Sequence, residues 1–196
     1  WYSDTIIFGK YPEREMEFCE QYMPKITESD MKLISQPIEF LGHNIYWGMT
    51  VSGKSGKIEL VKDPGGFKNA PHNWPVTHDC IYWGSKFITE RYKKPLIISE
   101  NGKSCLDTIA ADGKVHDESR INYLNGYLSG LKKAVEEGVD VRGYFLWSLL
   151  DNFEWAYGYS ERFGIVHVDY ETQNRTIKDS AYFYSDVIKT NGDNFK

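Results

Sequence analysis

The sequence has little cysteine, and its cysteines are poorly placed for structural or metal-binding roles. Cys19, Cys80 and Cys105 are an odd number of widely separated thiols, with no CxxC pair. This pattern argues against a disulfide framework and against a zinc site. We therefore expect no metal site, free thiols in a reducing compartment and a cytoplasmic location.

The chain also lacks a long apolar run and an excess of basic charge. No apolar segment approaches the ~20 residues of a membrane-spanning helix, so no membrane attachment is expected. The formal net charge is −5 and no basic stripe is present, which argues against nucleic acid as a partner. The first residues, Trp-Tyr-Ser-Asp, show no signal peptide, and we expect a chain that is truncated, processed or a fragment.

Aromatic residues, by contrast, are abundant. They make up 15% of the chain, with six Trp and fourteen Tyr. Aromatic side chains with a polar group suit sites that are half apolar and half wet. Sugars present such surfaces, with C–H faces for stacking and hydroxyl rims for hydrogen bonds. A tyrosine-rich core is the simpler interpretation, and composition alone favours it.

Strand-like and helix-like segments alternate along the chain. Short runs rich in β-branched and aromatic residues predict strands, and amphipathic segments predict helices. The predicted strands are 38–47, 95–99 and 139–149, and the predicted helices are 13–23, 29–34 (capped by Ser29), 77–92, 117–138 and 179–190. This alternation predicts an α/β protein with a parallel sheet. The loops 50–76, 101–116 and 150–178 would lie at the carboxyl ends of the strands, where βα barrels carry their chemistry.

Two predicted helices have apolar positions at helical spacing. In 77–92 these positions are Cys80, Trp83, Phe87 and Ile88. In 117–138 they are Ile121, Leu124, Leu128, Leu131, Ala134 and Val135. We expect these faces to pack on the sheet.

Glu100 is the first candidate catalytic residue. The run Ile97 to Gly102 places this carboxylate at the tip of a hydrophobic strand, and Asn-Gly turns the chain directly after it. Glycoside hydrolysis needs a carboxylate fixed near the anomeric carbon. Taken alone, a glutamate in an Asn-Gly turn is more often a structural feature.

A second group of candidates follows the third predicted strand. Phe145 to Trp155 reads FLWSLLDNFEW, with Trp147 at the strand end and Glu154-Trp155 on the next loop. An indole beside a carboxylate can hold a pyranose, because the ring stacks on C–H groups while the carboxylate accepts two hydroxyl protons. Aromatic packing with Glu154 as a surface charge is the alternative.

Several runs, taken in order, resemble glycoside hydrolase family 1 over essentially the whole chain. The runs are Phe8–Pro12 (FGKYP), Phe40–Tyr46 (FLGHNIY), Ile97–Gly102 (IISENG), Leu146–Trp155 (LWSLLDNFEW), Arg162–Tyr170 (RFGIVHVDY) and Gln173–Ala181 (QNRTIKDSA). Two positions depart from the family pattern: Ser99 stands where Thr is usual, and Ile45 replaces a Tyr. The resemblance implies the C-terminal part of a single (β/α)8-barrel domain, about strands six to eight with their helices, spanning residues 1–196.

The resemblance also implies a role for each matched residue. Glu100 matches the nucleophile of a retaining β-glucosidase, Tyr46 the tyrosine that hydrogen-bonds it, and Asn44 a polar residue nearby. The implied sugar-binding residues are Trp147 as platform, Glu154 at the 4- and 6-hydroxyls, Trp155 near the 3-hydroxyl and Phe163 at the 6-hydroxymethyl pocket. Asn44 and Phe163 could equally be turn and core residues. No cofactor is expected.

The substrate implied by the resemblance and by Glu154 is an unphosphorylated β-glucoside or oligosaccharide, because a carboxylate would repel a 6-phosphate; a galactoside or a fucoside stays open as an alternative. The family's acid/base glutamate lies in a T-x-N-E-P motif, which this sequence lacks. A retaining mechanism needs both carboxylates. We therefore expect the lone chain to be inactive and to need a complementary N-terminal half or self-association. Otherwise Asp151 or Glu161 would have to serve as the acid.

Two other classes of function stay open at this point. One is a non-catalytic sugar-binding module, and the other is an assembly half-barrel that docks a complementary half. Kinetics of the lone chain would separate the enzyme from both alternatives, and its oligomeric state would separate the two from each other.

Overall fold

The computed structural model of the protein describes residues 1–61 and 74–193. Helices are α1 Tyr2–Phe8, α2 Glu13–Cys19, α3 Glu28–Ile34, α4 Asp79–Tyr92, α5 Glu118–Glu136 and α6 Asp179–Thr190. Strands are β1 Leu41–Asn44, β2 Val51–Ser52, β3 Glu59–Leu60, β4 Leu96–Asn101, β5 Val141–Leu146, β6 Val166–Val168 and β7 Arg175–Ile177. Within these described ranges, no helix has the length and apolar character needed to cross a bilayer.

A three-stranded parallel sheet in the order β1-β4-β5 organises the fold, and the predicted α/β class is confirmed. The strand bounds were predicted less well, because 38–47 and 139–149 shrink to Leu41–Asn44 and Val141–Leu146. The predicted strand at 95–99 corresponds to Leu96–Asn101 and so extends two residues further than predicted. A register shift after His43 places Asn44 opposite Glu100 across β1 and β4. The ends of the strands therefore converge at the candidate residues.

Helices α4 and α5 cover one face of the sheet. Leu96 and Ile98 of β4 are fully buried and pack with Leu124, Leu128 and Leu131 of α5. Burying such side chains stabilises the fold by about 1.5–3 kcal/mol each, and alternate residues of β4 supply this face because side chains alternate along a strand.

The buried face of α5 is largely the predicted one, with Leu124, Leu128, Leu131 and Ala134 buried, whereas the buried face of α4 is shifted from the prediction. On α4 the buried residues are Ile81, Tyr82 and Ser85, whereas Trp83 and Phe87 are more than 60% exposed. On α5, Tyr123 and Tyr127 are buried beside the leucines, whereas Val135 is exposed. These buried tyrosines agree with the tyrosine-rich core that composition alone favours, and their hydroxyls find hydrogen-bond partners there.

The N-terminal segment forms short helices. Helix α1 was not predicted, and it is joined to α4 by ion pairing and hydrogen bonding of Asp4 with Arg91 and Tyr92. The hydrogen bond from Arg91 outweighs burial and lowers the pKa of Asp4 to about 2. The predicted cap of the helix at 29–34 was wrong: the helix begins at Glu28, and Thr27 forms a reciprocal capping box with Asp30.

The long loops carry two antiparallel hairpins. Strands β2 and β3 pair within the predicted excursion at 50–76, of which residues 62–73 lie outside the described part of the chain. Strands β6 and β7 pair within 150–178, which was predicted as a loop without strands. Both hairpins follow the carboxyl end of a sheet strand.

A buried ion cluster lies among the loops that follow β4 and β5. Its members are Asp107, Asp117, Arg120, Asp151, Arg162 and Lys178. Lys178 is fully buried and its Nζ contacts Asp107 and, at 2.8 Å, Asp151 Oδ1. Burial raises the pKa of Asp107, but the nearby charges of Arg120 and Lys178 outweigh burial and hold this pKa below its usual value. The cluster ties together segments that are far apart in sequence.

Asp117 links the starts of two helices. It is the N-cap residue of α5, and its Oδ1 accepts a 2.8 Å hydrogen bond from the backbone N–H of Ser180, in the first turn of α6. Helix α6 has no side-chain cap from its own N-cap residue, Lys178. A carboxylate at a helix N-terminus also interacts favourably with the helix dipole. Asp117 thus caps a helix that begins 62 residues beyond it.

Candidate active site

Glu100 lies near the end of β4 and is hydrogen-bonded by Tyr46. The Tyr46 hydroxyl donates to Glu100 Oε2 over 2.7 Å, and both side chains are partly buried. Burial, with the hydrogen bond to Glu100 second, raises the pKa of Tyr46 well above its usual value. The hydroxyl therefore stays protonated and can act as a donor to the carboxylate throughout the neutral range.

Asn44 and Ser99 form a second polar pair beside Glu100. The Ser99 hydroxyl donates to Asn44 Oδ1 over 2.8 Å, and Asn44 is opposite Glu100 in the strand register. The structure thus brings Asn44 near Glu100 through the backbone, while its side chain is engaged by Ser99. The Ser99 departure from the family pattern keeps a hydroxyl at this position.

Trp147 lies just after β5, and its indole is joined to Glu154. Trp147 Nε1 donates to Glu154 Oε2 over 3.2 Å, across the loop that connects them. The backbone N–H of Trp147 also donates to the carbonyl of Asn101 over 2.9 Å, which ties it to the residue that follows Glu100. The predicted pairing of an indole with a carboxylate is therefore present in the geometry.

Gly102 permits this close approach of the two strand ends. A Cβ at Gly102 would lie 1.8 Å from the carbonyl oxygen of Trp147, which no real side chain tolerates. The glycine of the Glu-Asn-Gly run is thus required by the close approach of the neighbouring chain.

Phe163 and Trp74 form an aromatic group around Tyr46. Phe163 is buried, its ring lies edge-on to Tyr46 at a centroid distance of 6.4 Å, and it lies 6.4 Å from Trp74. The Trp74 and Tyr46 ring centroids are 5.4 Å apart. Trp74 was missed in the sequence analysis, and the only signal for it was a tryptophan ahead of a proline in a loop that follows a strand.

Trp155 is the candidate that the structure leaves apart. It is 78% exposed, begins a short 3-10 turn and has a positive φ of 43°. Over residues 1–61 and 74–193, its side chain makes neither a hydrogen bond nor a ring contact with another candidate residue. Its position beside Glu154 in sequence is what keeps it at the site.

Asp151 is not available as a proton donor to a substrate. It is buried, and its two oxygens accept hydrogen bonds from Lys178, Arg162 and the backbone N–H of Gly164. Glu161 is also buried, with 1% of its surface exposed. Burial and ion pairing thus remove Asp151 from the candidates for a missing acid, and enclosure argues against Glu161.

The described part of the chain offers no group of three or more His, Cys, Asp or Glu side chains that could hold a metal ion. Its three cysteines are free thiols, and burial raises the pKa of Cys105. The site itself consists of a carboxylate hydrogen-bonded by a tyrosine, and of an indole hydrogen-bonded to a second carboxylate.

Comparison with known proteins places this arrangement in context. The profile described as glycosyl hydrolase family 1 matches residues 1–193. Beta-glucosidase A of Thermotoga maritima is 44% identical over 97% of this chain and 43% of its own length. Beta-glucosidase A of Acetivibrio thermocellus is 41% identical over 98% of this chain and 44% of its own length. The chain thus spans less than half the length of these relatives.

Solved structures show the same similarity in three dimensions. The beta-glucosidase from Thermotoga maritima in complex with glucoimidazole superposes with a TM-score of 0.88 at 45% identity, over 97% of this chain and 43% of that one. Its complex with deoxynojirimycin gives the same TM-score over 44% of that chain.

Proposed function

Because this chain belongs to glycosyl hydrolase family 1, we propose that it is the C-terminal part of a retaining β-glucosidase. The observation that carries the proposal is the 2.7 Å hydrogen bond from Tyr46 to Glu100 at the sheet's carboxyl end. In this proposal residues 1–196 belong to one (β/α)8-barrel domain. Strands β1, β4 and β5 are then its sixth, seventh and eighth strands.

Glu100 is the nucleophile in this proposal. Its carboxylate attacks the anomeric carbon, the bond to the leaving oxygen breaks, and a covalent glycosyl-enzyme forms that water later hydrolyses. The hydrogen bond from Tyr46 supports the role, because a fixed donor holds the carboxylate in one orientation for attack. The rigid end of β4 supplies the rest of the positioning.

Trp147 and Glu154 hold the sugar. The indole of Trp147 is the platform for its C–H face, and Glu154 accepts hydroxyl protons. The 3.2 Å bond between them keeps both groups facing one space and supports this division of roles. Trp155 and Phe163 complete the pocket at the 3-hydroxyl and the 6-hydroxymethyl group.

The substrates are unphosphorylated β-glucosides. A 6-phosphate would bring its negative charge against Glu154 in a partly buried site, where like charges repel more strongly than in water. The names of the two curated relatives, both beta-glucosidases, agree with this class of substrate.

The proton donor must come from outside these 196 residues. The sequence has no T-x-N-E-P motif, and Asp151 is held by Lys178 and Arg162. In this proposal a complementary N-terminal part supplies the first strands of the barrel and the acid. Without it, we expect no measurable hydrolysis of cellobiose and at most a trace with dinitrophenyl glucoside, whose leaving group needs no proton.

Covalent labelling tests the proposal. A 2-deoxy-2-fluoro-β-glucoside with an activated leaving group should label Glu100 in the complete protein, and peptide mapping should place the label there. The fluorine disfavours positive charge at the anomeric carbon, so the intermediate accumulates. Glu154→Gln serves as a control that keeps Glu100 intact. A label on another residue would contradict the assignment.

The second candidate function is an assembly half-barrel without turnover of its own. The observation that favours it is that the chain covers only 43–44% of its relatives and carries one of the two required carboxylates. The native mass of the purified chain, alone and with an N-terminal half, separates a self-associating form from a docking form.

A further inference from the structure

Buried side chains, in addition to the backbone pairing of the sheet, hold the backbone at Tyr46 in place. Strand β1 ends at Asn44, and beyond it only the Ile45 N–H is paired with β4, at 2.9 Å from the Glu100 carbonyl. The carbonyls of Ile45 and Tyr46 therefore take their partners from side chains. Those partners are all buried and come from β4 and α5.

Three side chains donate to these two carbonyls. The Tyr46 carbonyl accepts hydrogen bonds from the hydroxyls of Tyr127 at 2.7 Å and Tyr123 at 3.1 Å. The Ile45 carbonyl accepts one from Asn101 Nδ2 at 2.7 Å. The backbone on which the Tyr46 side chain is built is thus fastened on both sides.

The remaining polar atoms of these side chains also have hydrogen-bond partners. The second hydrogen of Asn101 Nδ2 goes to the Tyr123 hydroxyl at 2.9 Å, and Asn101 Oδ1 accepts from Tyr144 at 2.7 Å. The Tyr127 hydroxyl accepts from the Thr77 N–H at 3.1 Å. A fully satisfied buried network has one arrangement, so it fixes its members in place.

Burial makes the network rigid. Asn101 and Tyr127 are fully buried, Tyr123 is 2% exposed, and the two tyrosine rings stack with centroids 4.1 Å apart. Hydrogen bonds are stronger in such an environment, and rotation of any member would leave a polar group without a partner.

We propose that Asn101, Tyr123 and Tyr127 are positioning residues that set the Tyr46 hydroxyl against Glu100. This inference rests on the proposed function, since it is the nucleophile role of Glu100 that gives the contact its value. None of the three needs to touch the substrate. They act through the Ile45 and Tyr46 carbonyls.

A double-mutant cycle in the complete protein tests the inference. Tyr127→Phe should lower kcat/KM for dinitrophenyl glucoside by about 5-fold, the value of one neutral hydrogen bond. If Tyr127 acts through Tyr46, the same substitution made in a Tyr46→Phe background should change kcat/KM by less than about 2-fold. Tyr123→Phe gives an independent second variant, because it leaves the Thr77 contact intact.

Tyr82→Phe is the matched control. Tyr82 is also a buried tyrosine, but its hydroxyl donates to Glu137, at the C-terminal end of α5, and to neither the Ile45 nor the Tyr46 carbonyl, so its removal should leave kcat/KM unchanged. Equal losses from Tyr127→Phe with and without the Tyr46 hydroxyl would overturn the inference, since a purely structural role would act in both backgrounds. Labelling of the unaltered protein by the 2-fluoro glucoside distinguishes failure of the proposed function from failure of the positioning role. If Glu100 is not labelled, the proposed function is overturned as well. If Glu100 is labelled but Tyr127→Phe causes the same loss of kcat/KM in both backgrounds, only the positioning role is overturned.

Discussion

Removing the buried amino group of Lys178 should destabilise the fold far more than removing a surface one. In Lys178→Met the side-chain stem is kept, but Asp107 and Asp151 each lose one of the cations that hold them. Breaking a buried ion pair from one side costs about 3–5 kcal/mol. Because Asp107 keeps Arg120 and Asp151 keeps Arg162, we expect a loss of about 3 kcal/mol, at the lower end.

Urea unfolding of the chain at pH 7 measures this loss as a difference in the free energy of unfolding. Lys189→Met is the control, because its pair with Asp186 is more than 60% exposed on both sides and should cost less than about 1 kcal/mol. If Lys178→Met cost no more than Lys189→Met, the ion cluster would contribute nothing and the reasoning would fail.

Acid unfolding is a second test of the same ion cluster. The pKa of Asp107 is lowered in the folded state, so its contribution is present above the pKa of the unfolded chain and is lost as the pH falls. In Lys178→Met one of the two charges that lower this pKa is gone. Acid unfolding of the variant should therefore begin at a higher pH than that of the unaltered chain, as followed by circular dichroism.

Three further predictions concern single positions. Gly102→Ala should destabilise by about 3 kcal/mol or more in urea unfolding, because its Cβ would overlap a backbone carbonyl; Gly53→Ala, in open space, should not. Asp4→Asn should make the acid-induced loss of stability between about pH 4 and pH 2 smaller by the contribution of Asp4, because the folded-state pKa of Asp4 is about 2; an unchanged pH profile would contradict the assignment. Glu154→Ala should lower kcat/KM for aryl β-glucosides, by an amount that corresponds to a few kcal/mol of transition-state binding at most, and should reduce the ratio of kcat/KM for these substrates to that for their 6-phosphates; equal rates for both substrates in the unaltered protein would contradict the role of Glu154.

The periodic elements were the most predictable part of the fold. The helices at 117–138 and 179–190 and all three parallel strands are present, because long periodic segments bury enough apolar surface to determine their own structure. Family membership, expected from the ordered motifs, is confirmed by the match over residues 1–193. Strand ends were predicted poorly, since a strand stops where its neighbour stops pairing.

What could not be predicted depends on contacts between distant segments. The hairpin of β6 and β7 is made of three-residue strands, too short for a periodic signal. The ion cluster joins Asp107, Asp151 and Lys178, whose spacing along the chain indicates nothing about their contact. The burial of Tyr123 and Tyr127 beside the predicted leucines of α5 comes with hydrogen bonds to the Tyr46 carbonyl, which only the folded chain brings near.

The candidate site divides in the same way. The sequence motifs predicted the contact between Glu100 and Tyr46, which are joined at 2.7 Å, and the pairing of Trp147 with Glu154. Their catalytic and binding roles stay predictions. Trp74 was not anticipated because it lies outside every periodic segment, and Asp151 was considered as an acid because its ion pairs are invisible in the sequence.

The hydrogen bond from the Ser180 N–H to the side chain of Asp117 has a consequence for the dynamics of the chain. The Ser180 N–H in the first turn of α6 donates to Asp117, the residue at the start of α5. Fraying of α5 at that end therefore exposes the Ser180 amide as well. In hydrogen–deuterium exchange, the amide of Ser180 should therefore open together with the first turn of α5, as one cooperative unit. Asp117→Ala would uncouple the two helix starts, and the Ser180 amide would then exchange on its own, ahead of the body of either helix.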